Sequence, residues 1–276
     1  MHPTVVPLVD EGLGNSAYLV DLGDGRALVV DASRDLRTVL TATEQRGLRV
    51  AFAADTHLHA DFLSGGRQWA TSDGATMLAS AAGGRAFEHQ GMYDGDEVDL
   101  GGLRLRALAT PGHTGEHVAF LLLDGDRPVG VFTGGSLLAG AVARTDLVSP
   151  DRTEELARAQ YRSLRRLSEL PDDVAVWPTH GAGSFCSAPS SDERTSSISR
   201  ERATNPLLRA ARRGLVRPGS AELARLLPAL LPATAGDQPA WSGSADTVTW
   251  LARAICEGGA KPPTQRRMSP RRAAHG

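Results

Sequence analysis

Apolar residues fall into short clustered or alternating runs over 4–9, 17–22 and 27–31, which predict strands, and Gly23-Asp24-Gly25 between the last two predicts a hairpin. The period changes over 35–46, where Leu36, Val39 and Leu40 share one face of a predicted helix, and the unbroken run over 49–54 predicts a buried strand. A short helix after Gly66 and strands over 76–78, 103–109, 117–123 and 129–133 follow. Behind the start signal Ser149-Pro150-Asp151, the residues Ala157, Tyr161, Leu164 and Leu167 recur every three or four positions and predict a long helix over 153–170. A strand over 174–177 comes after it. This order predicts two sheets with helices outside, in one domain over 1–205.

Beyond Asn205 the pattern weakens. Helices are expected over 207–215, 221–231 and 247–255, interrupted by Pro228 and Pro232, so 206–257 is read as a small helical C-terminal appendage. Lys261, Arg266, Arg267, Arg271 and Arg272 lie among prolines and alanines, and 258–276 is read as a disordered basic tail.

Composition narrows the function classes. With 276 residues the chain can bury a full core without staples. A formal charge of −2 with both signs interspersed argues against nucleic acid and for a small-molecule partner. Only Cys186 and Cys256 are present, which excludes a disulfide framework and fits a reducing cytoplasm. Without a signal-like start or a run of eighteen apolar residues, no membrane association is expected.

The chemistry is concentrated in three histidine motifs, Thr56-His57-Leu58-His59-Ala60-Asp61-Phe62, Thr110-Pro111-Gly112-His113-Thr114 and Pro178-Thr179-His180-Gly181. Each follows a predicted strand, so the three tips can converge at one sheet edge. His57 and His59, two apart on an extended loop, can aim both imidazoles to one side, and neutral imidazole suits zinc or ferrous iron. Asp61 adds a hard oxygen, either to a metal or to a water as a catalytic base. The candidate metal ligands are therefore His57, His59, His113, Asp61 and His180.

These motifs resemble the ligand loops of the metallo-β-lactamase superfamily. Phe132-Thr133-Gly134-Gly135-Ser136, Ala143-Arg144-Thr145-Asp146-Leu147 and His180-Gly181-Ala182-Gly183-Ser184 are similar to its persulfide dioxygenase and rhodanese-linked branch. The resemblance covers about 5–205 and implies an α+β, four-layer αββα sandwich with the site at the sheet edge. It also implies that the residues at 57, 59 and 113 form one metal site, those at 61, 62 and 180 a second, and a carboxylate at 135 bridges them. The dioxygenase branch instead implies one ferrous ion held at 57, 113 and 135.

Two positions depart from these patterns. Phe62 removes a nitrogen ligand from the second site, so a single Fe(2+) or Zn(2+) ion is expected rather than two. Gly135 removes the carboxylate, at a cost of at least ~10–100-fold in metal affinity or activity unless something replaces it. A three-histidine set, an inward Asp61, or a water or thiolate above Gly135 are the candidate replacements, and a Gly135→Asp change is expected to raise iron occupancy. Gly135, Arg144 and Asp146 are expected to line the substrate pocket. The implied activity is oxidation of a glutathione-type persulfide by a degenerate metal site. The alternatives are zinc-dependent hydrolysis of a thioester or ester, as in glyoxalase II, and a catalytically inactive small-molecule-binding relative. The expected partners are a thiol, persulfide or thioester substrate and a second copy of the chain in a homodimer.

Overall fold

A computed structural model describes residues 3–187 and 192–212. The first half forms the strands β1 (Thr4–Asp10), β2 (Asn15–Asp21), β3 (Arg26–Val30), β4 (Arg49–Asp55), β5 (Thr76–Ser80) and β6 (Gln90–Met92), with helices α1 (Arg37–Glu44) and α2 (Gly66–Asp73) between them. The second half forms β7 (Glu97–Asp99), β8 (Leu103–Ala109), β9 (Val118–Asp124), β10 (Arg127–Gly134), β11 (Ala175–Pro178) and β12 (Ser196–Ser197), with helices α3 (Thr153–Leu167), α4 (Ile198–Thr204) and α5 (Pro206–Arg212). Each half gives one six-stranded sheet, in the orders β1-β2-β3-β4-β5-β6 and β12-β11-β10-β9-β8-β7.

The two sheets pack face to face because several strands are apolar on both faces. In β9, Val118, Phe120 and Leu122 point into the space between the sheets and meet Tyr18, Leu28, Val30 and Leu78. The alternate residues Ala119, Leu121 and Leu123 face Ala157, Leu164 and Leu167 of α3. Period-two alternation on a strand thus divides one apolar run between two cores. On the other outer face Trp69 of α2 and Val39 of α1 cover Val29, Ala53 and Met77. The layers run helix, sheet, sheet, helix, as the resemblance implied.

Differences from the expected elements are local. The helix expected over 153–170 ends at Leu167, with Ser168 capping it ahead of Pro171. Strands β6, β7 and β12 and helix α4 were not anticipated, because two- and three-residue edge strands and a seven-residue helix carry too few positions to show a period. Leu207 and Leu208 of α5 are buried in the α3 core, so the chain remains in contact with that core past 205. The helices expected over 221–231 and 247–255, and the tail over 258–276, lie outside the described residues. Among the described residues no helix is long and apolar enough to cross a membrane.

Strand direction determines where the motifs go. β3 runs parallel to β4, and β10 runs parallel to β11, so their C-terminal ends deliver Asp31, Thr56, Gly135 and Thr179 to one edge. Backbone bonds close that edge across the two sheets, with Val118 N donating to Thr56 O at 2.8 Å and Ser16 N to Thr179 O at 2.8 Å.

Candidate metal centre

Asp31 is the organising residue beneath the site. It is buried, sits at φ 52°, and ends β3 in the left-handed region that aspartate tolerates better than most side chains. Its Oδ1 accepts from Thr56 N at 2.7 Å and from His59 Nε2 at 3.2 Å. Its Oδ2 accepts from Thr56 Oγ1 at 2.7 Å and from Thr179 Oγ1. One carboxylate therefore ties the first and third histidine loops together. These bonds and the neighbouring His59 outweigh the cost of burial and hold its pKa down at about 2.

Each of the four motif histidines has one ring nitrogen committed to a neighbour. Thr56 Oγ1 donates to Asp31, so it must accept from His57 Nδ1 at 2.9 Å, which leaves His57 Nε2 with its lone pair. His59 Nε2 donates to Asp31, and its buried Nδ1 has no partner. His113 Nδ1 donates to the Arg144 carbonyl at 2.7 Å, leaving Nε2. His180 Nδ1 donates to Asn15 Oδ1 at 2.9 Å, again leaving Nε2. Second partners of this kind are what fix the tautomer of a metal-binding histidine.

Charge in the site follows from burial. Removal from water, reinforced by neighbouring imidazoles, lowers His57 well below its usual range and brings His113 to about 3. His180 is lowered in the same way, so the three rings are neutral at neutral pH. His59 behaves oppositely: burial opposes its protonation, but the Asp31 carboxylate outweighs that and raises it.

The Asp61 side chain is largely buried at the same edge. Its Oδ2 accepts from Asn15 Nδ2 at 2.8 Å and its Oδ1 has no partner. Burial opposes ionisation, yet His180, His59 and Asn15 hold Asp61 below the usual carboxylate range. Asn15, absent from the motifs, therefore orients both a candidate ligand and a candidate base. Phe62 stacks on His59 with ring centroids 4.1 Å apart, so an apolar wall stands where a further ligand was implied.

Gly135 lies against His113, and a Cβ there would fall 2.4 Å from His113 Cδ2. The gain in iron occupancy expected of Gly135→Asp therefore requires the His113 imidazole to move before the new side chain fits. Gly134 is at φ 54°, and a Cβ on it would lie 2.5 Å from both His117 Nε2 and Thr56 Oγ1. His117 Nε2 accepts from Gly135 N at 3.0 Å, so this ring supports the loop. Gln160, on α3, accepts from His113 N at 2.9 Å and donates to the Ser136 carbonyl, which joins the second motif to the glycine loop. Helical periodicity gives no sign of this role, because it only separates apolar from polar positions on α3.

Arg144 and Asp146 form a two-pronged pair at 2.7 and 2.8 Å and are largely buried rather than exposed. Cys186 is fully buried, and burial with the nearby Asp61 charge pushes its thiol well up, so it is a neutral thiol. Arg85 braces the first loop from outside through Asp55 at 3.3 Å and the His57 carbonyl at 3.2 Å. Beside this loop a groove of about 1190 Å³ is bordered by Leu58, His59, Phe62, Arg67, Arg85 and Phe87.

The donor set fits a metal ion. His57, His113 and His180 present ligand atoms all within 4.8 Å of one another, and His59, Asp61 and His180 form a second such group. The unpartnered His59 Nδ1 and Asp61 Oδ1 are buried polar atoms that would otherwise carry an uncompensated desolvation cost.

Comparison with known proteins adds an independent line. A sequence model described as the Metallo-beta-lactamase superfamily matches residues 10–180. The chain is 31% identical over 228 residues to the hydroxyacylglutathione hydrolase of Cereibacter sphaeroides, covering 73% of this chain and 85% of that protein. It is 31% identical over 195 residues to the human mitochondrial persulfide dioxygenase ETHE1, covering 70% and 69%. The solved structure of ETHE1 from Myxococcus xanthus superposes with a TM-score of 0.63 at 28% identity, over 82% of this chain and 97% of that one.

Proposed function

Starting from the premise that this chain belongs to the metallo-β-lactamase superfamily, we propose that it is a single-ion metal enzyme acting on a low-molecular-weight thiol derivative, in the first instance oxidising a glutathione-type persulfide. The observation that carries this reading is the hydrogen-bond state of the histidines: Thr56, Arg144 and Asn15 each consume one nitrogen and leave the other free for an ion. His57, His59, His113, Asp61 and His180 are the donors available to it, and Phe62 stands where a further ligand for a second ion was implied.

Bound Fe(2+) would supply the oxygen chemistry, and the overall change is RSSH + O₂ → RSSO₂H, with both oxygen atoms ending on the terminal sulfur. The chain's own residues supply binding and proton handling. Asp61, ionised and with Oδ1 free, can take the persulfide proton, while Asn15 keeps that carboxylate oriented. The Arg144–Asp146 pair braces the loop that carries the His113 acceptor, and the groove beside His59 gives the body of the substrate room. A homodimer is carried as part of this proposal.

A second reading is favoured by the same free Oδ1 of Asp61, which can equally orient or deprotonate an attacking water, and by the likeness to hydroxyacylglutathione hydrolase. With Zn(2+) the reaction would be thioester plus water to thiol plus carboxylic acid. Oxygen uptake with glutathione persulfide by Fe(2+)-loaded protein, run beside thioester cleavage by Zn(2+)-loaded protein, separates the two. Oxygen consumption is the expected result; cleavage without oxygen would favour the hydrolase, and neither activity in metal-replete protein would leave a binding-only relative.

A further inference from the structure

The superfamily pattern assigns the residues at 57 and 180 to two different metal positions with a carboxylate at 135 between them, yet here the rings of His57 and His180 meet. Their Nε2 atoms are 3.2 Å apart. Neither can donate to the other, because each ring spends its hydrogen at Nδ1, on Thr56 Oγ1 in one case and Asn15 Oδ1 in the other. Two lone pairs facing each other between buried rings repel, and a shared cation relieves that repulsion. Two nitrogens bound at about 2.0–2.1 Å to one tetrahedral ion stand roughly 3.3–3.4 Å apart, and the observed 3.2 Å is close to that separation.

His113 completes the group. Its ring centroid lies 4.8 Å from that of His57 and 5.2 Å from that of His180, and His57 and His180 are also 5.2 Å apart. The three planes meet near right angles, at 75°, 73° and 67°, so the rings surround a common point rather than stack. Gly135 makes this triangle feasible, since a side chain there would overlap the His113 ring. His59 is turned the other way: it spends Nε2 on Asp31 and leaves Nδ1, and Phe62 stacks on its face. His180 belongs to both convergent groups but has one free nitrogen to give, and that nitrogen is the one 3.2 Å from His57 Nε2.

We propose that the ion is bound through Nε2 of His57, His113 and His180, one three-imidazole face drawn from what elsewhere in the superfamily are two metal positions, with His180 replacing the carboxylate that Gly135 lacks. His59 then serves to position the loop through Asp31, and Asp61 keeps its free oxygen for substrate or water. This rests on the metal-centre reading above and specifies which nitrogens serve it.

The test uses the wild-type protein, so it does not depend on a variant folding. Protein carrying ¹⁵N-labelled histidine and one equivalent of ¹¹³Cd is expected to show ¹¹³Cd–¹⁵N couplings to three Nε2 nitrogens and to no Nδ1. Two Nε2 couplings and one Nδ1 coupling would mark His59 as a ligand and overturn the proposal. Zinc titrations of variants provide a second readout: His180→Ala should weaken binding about 100-fold, as should His57→Ala, while His59→Ala stays within about tenfold of wild type. Wild-type affinity in His180→Ala would also overturn it. Failure of the wild type to bind either metal would remove both this inference and the single-ion reading. Binding through the three Nε2 atoms without turnover would remove only the proposed activity.

Discussion

A Cβ built on Gly135 would lie 2.4 Å from Cδ2 and 2.8 Å from Cγ of His113, so the imidazole occupies the volume in which a side chain at 135 would begin. The ring is not free to retreat, because its Nδ1 holds the Arg144 carbonyl and its backbone N–H holds Gln160. Gly135→Ala should therefore destabilise the apo protein by about 1–3 kcal/mol, the usual cost of overpacking. It should also weaken zinc binding at least ~10-fold by displacing His113, a proposed ligand. Thermal melts and a zinc titration check both; wild-type values would mean that the loop accommodates a side chain without moving His113.

Asp31→Asn keeps the shape of the hub but removes its charge and replaces one acceptor by a donor facing the hydroxyls of Thr56 and Thr179. Metal affinity should fall by roughly 10–100-fold, the usual cost of losing a residue that orients ligands. The pKa of His59, raised by Asp31 in the wild type, should drop. Zinc titration and an NMR titration of His59 read the two effects separately, and unchanged values in both would show that Asp31 is only a turn residue.

Gln160→Leu leaves the buried His113 N–H and the Ser136 carbonyl without their partner. Each stranded group costs about 1–3 kcal/mol. With two such groups, urea unfolding should show a loss of roughly 2–6 kcal/mol with the slope unchanged. If stability does not change, the α3 contact contributes nothing to the second motif.

Acid should destabilise the metal-free protein earlier than carboxylate titration alone would. His57, His113, His117 and His180 all have folded pKa values below the ordinary 6.5, His113 at about 3. Their contribution is fully present above pH 6.5 and is lost as pH falls toward the folded values, because the unfolded chain takes up protons first. His59, raised instead, has the opposite sign: its contribution is present below 6.5 and lost as pH rises through its folded pKa. Four lowered groups against one raised group predict a falling melting temperature between about pH 6.5 and 4. Asp31 adds its own loss only below 3.8, as pH falls toward about 2. A flat melting temperature down to pH 4 would contradict this balance.

Much of the candidate site was legible because the signals are local. A His-x-His-x-Asp run after a strand places His57, His59 and Asp61 within one loop, whatever surrounds it. His113 and His180 were found the same way, each just past a strand end. Asn15 and Gln160 were not legible. Asn15 lies 165 residues from the His180 it contacts and Gln160 lies 47 from His113, so no spacing rule connects them. The short edge strands β6 and β7 were missed for a different reason, since three residues do not establish a period.

The sequence by itself determined the layered class of the fold, the candidate nitrogen and oxygen donors, and the two departures, Phe62 and Gly135. It did so because strand and helix periods and loop motifs are properties of neighbouring residues. Only the tertiary structure decided which nitrogen of each ring is free, that Asp31 binds two loops at once, and that the rings of His57 and His180 meet at 3.2 Å. Those relations depend on the packing of two sheets, which brings together atoms more than a hundred residues apart and removes the water that would otherwise satisfy them.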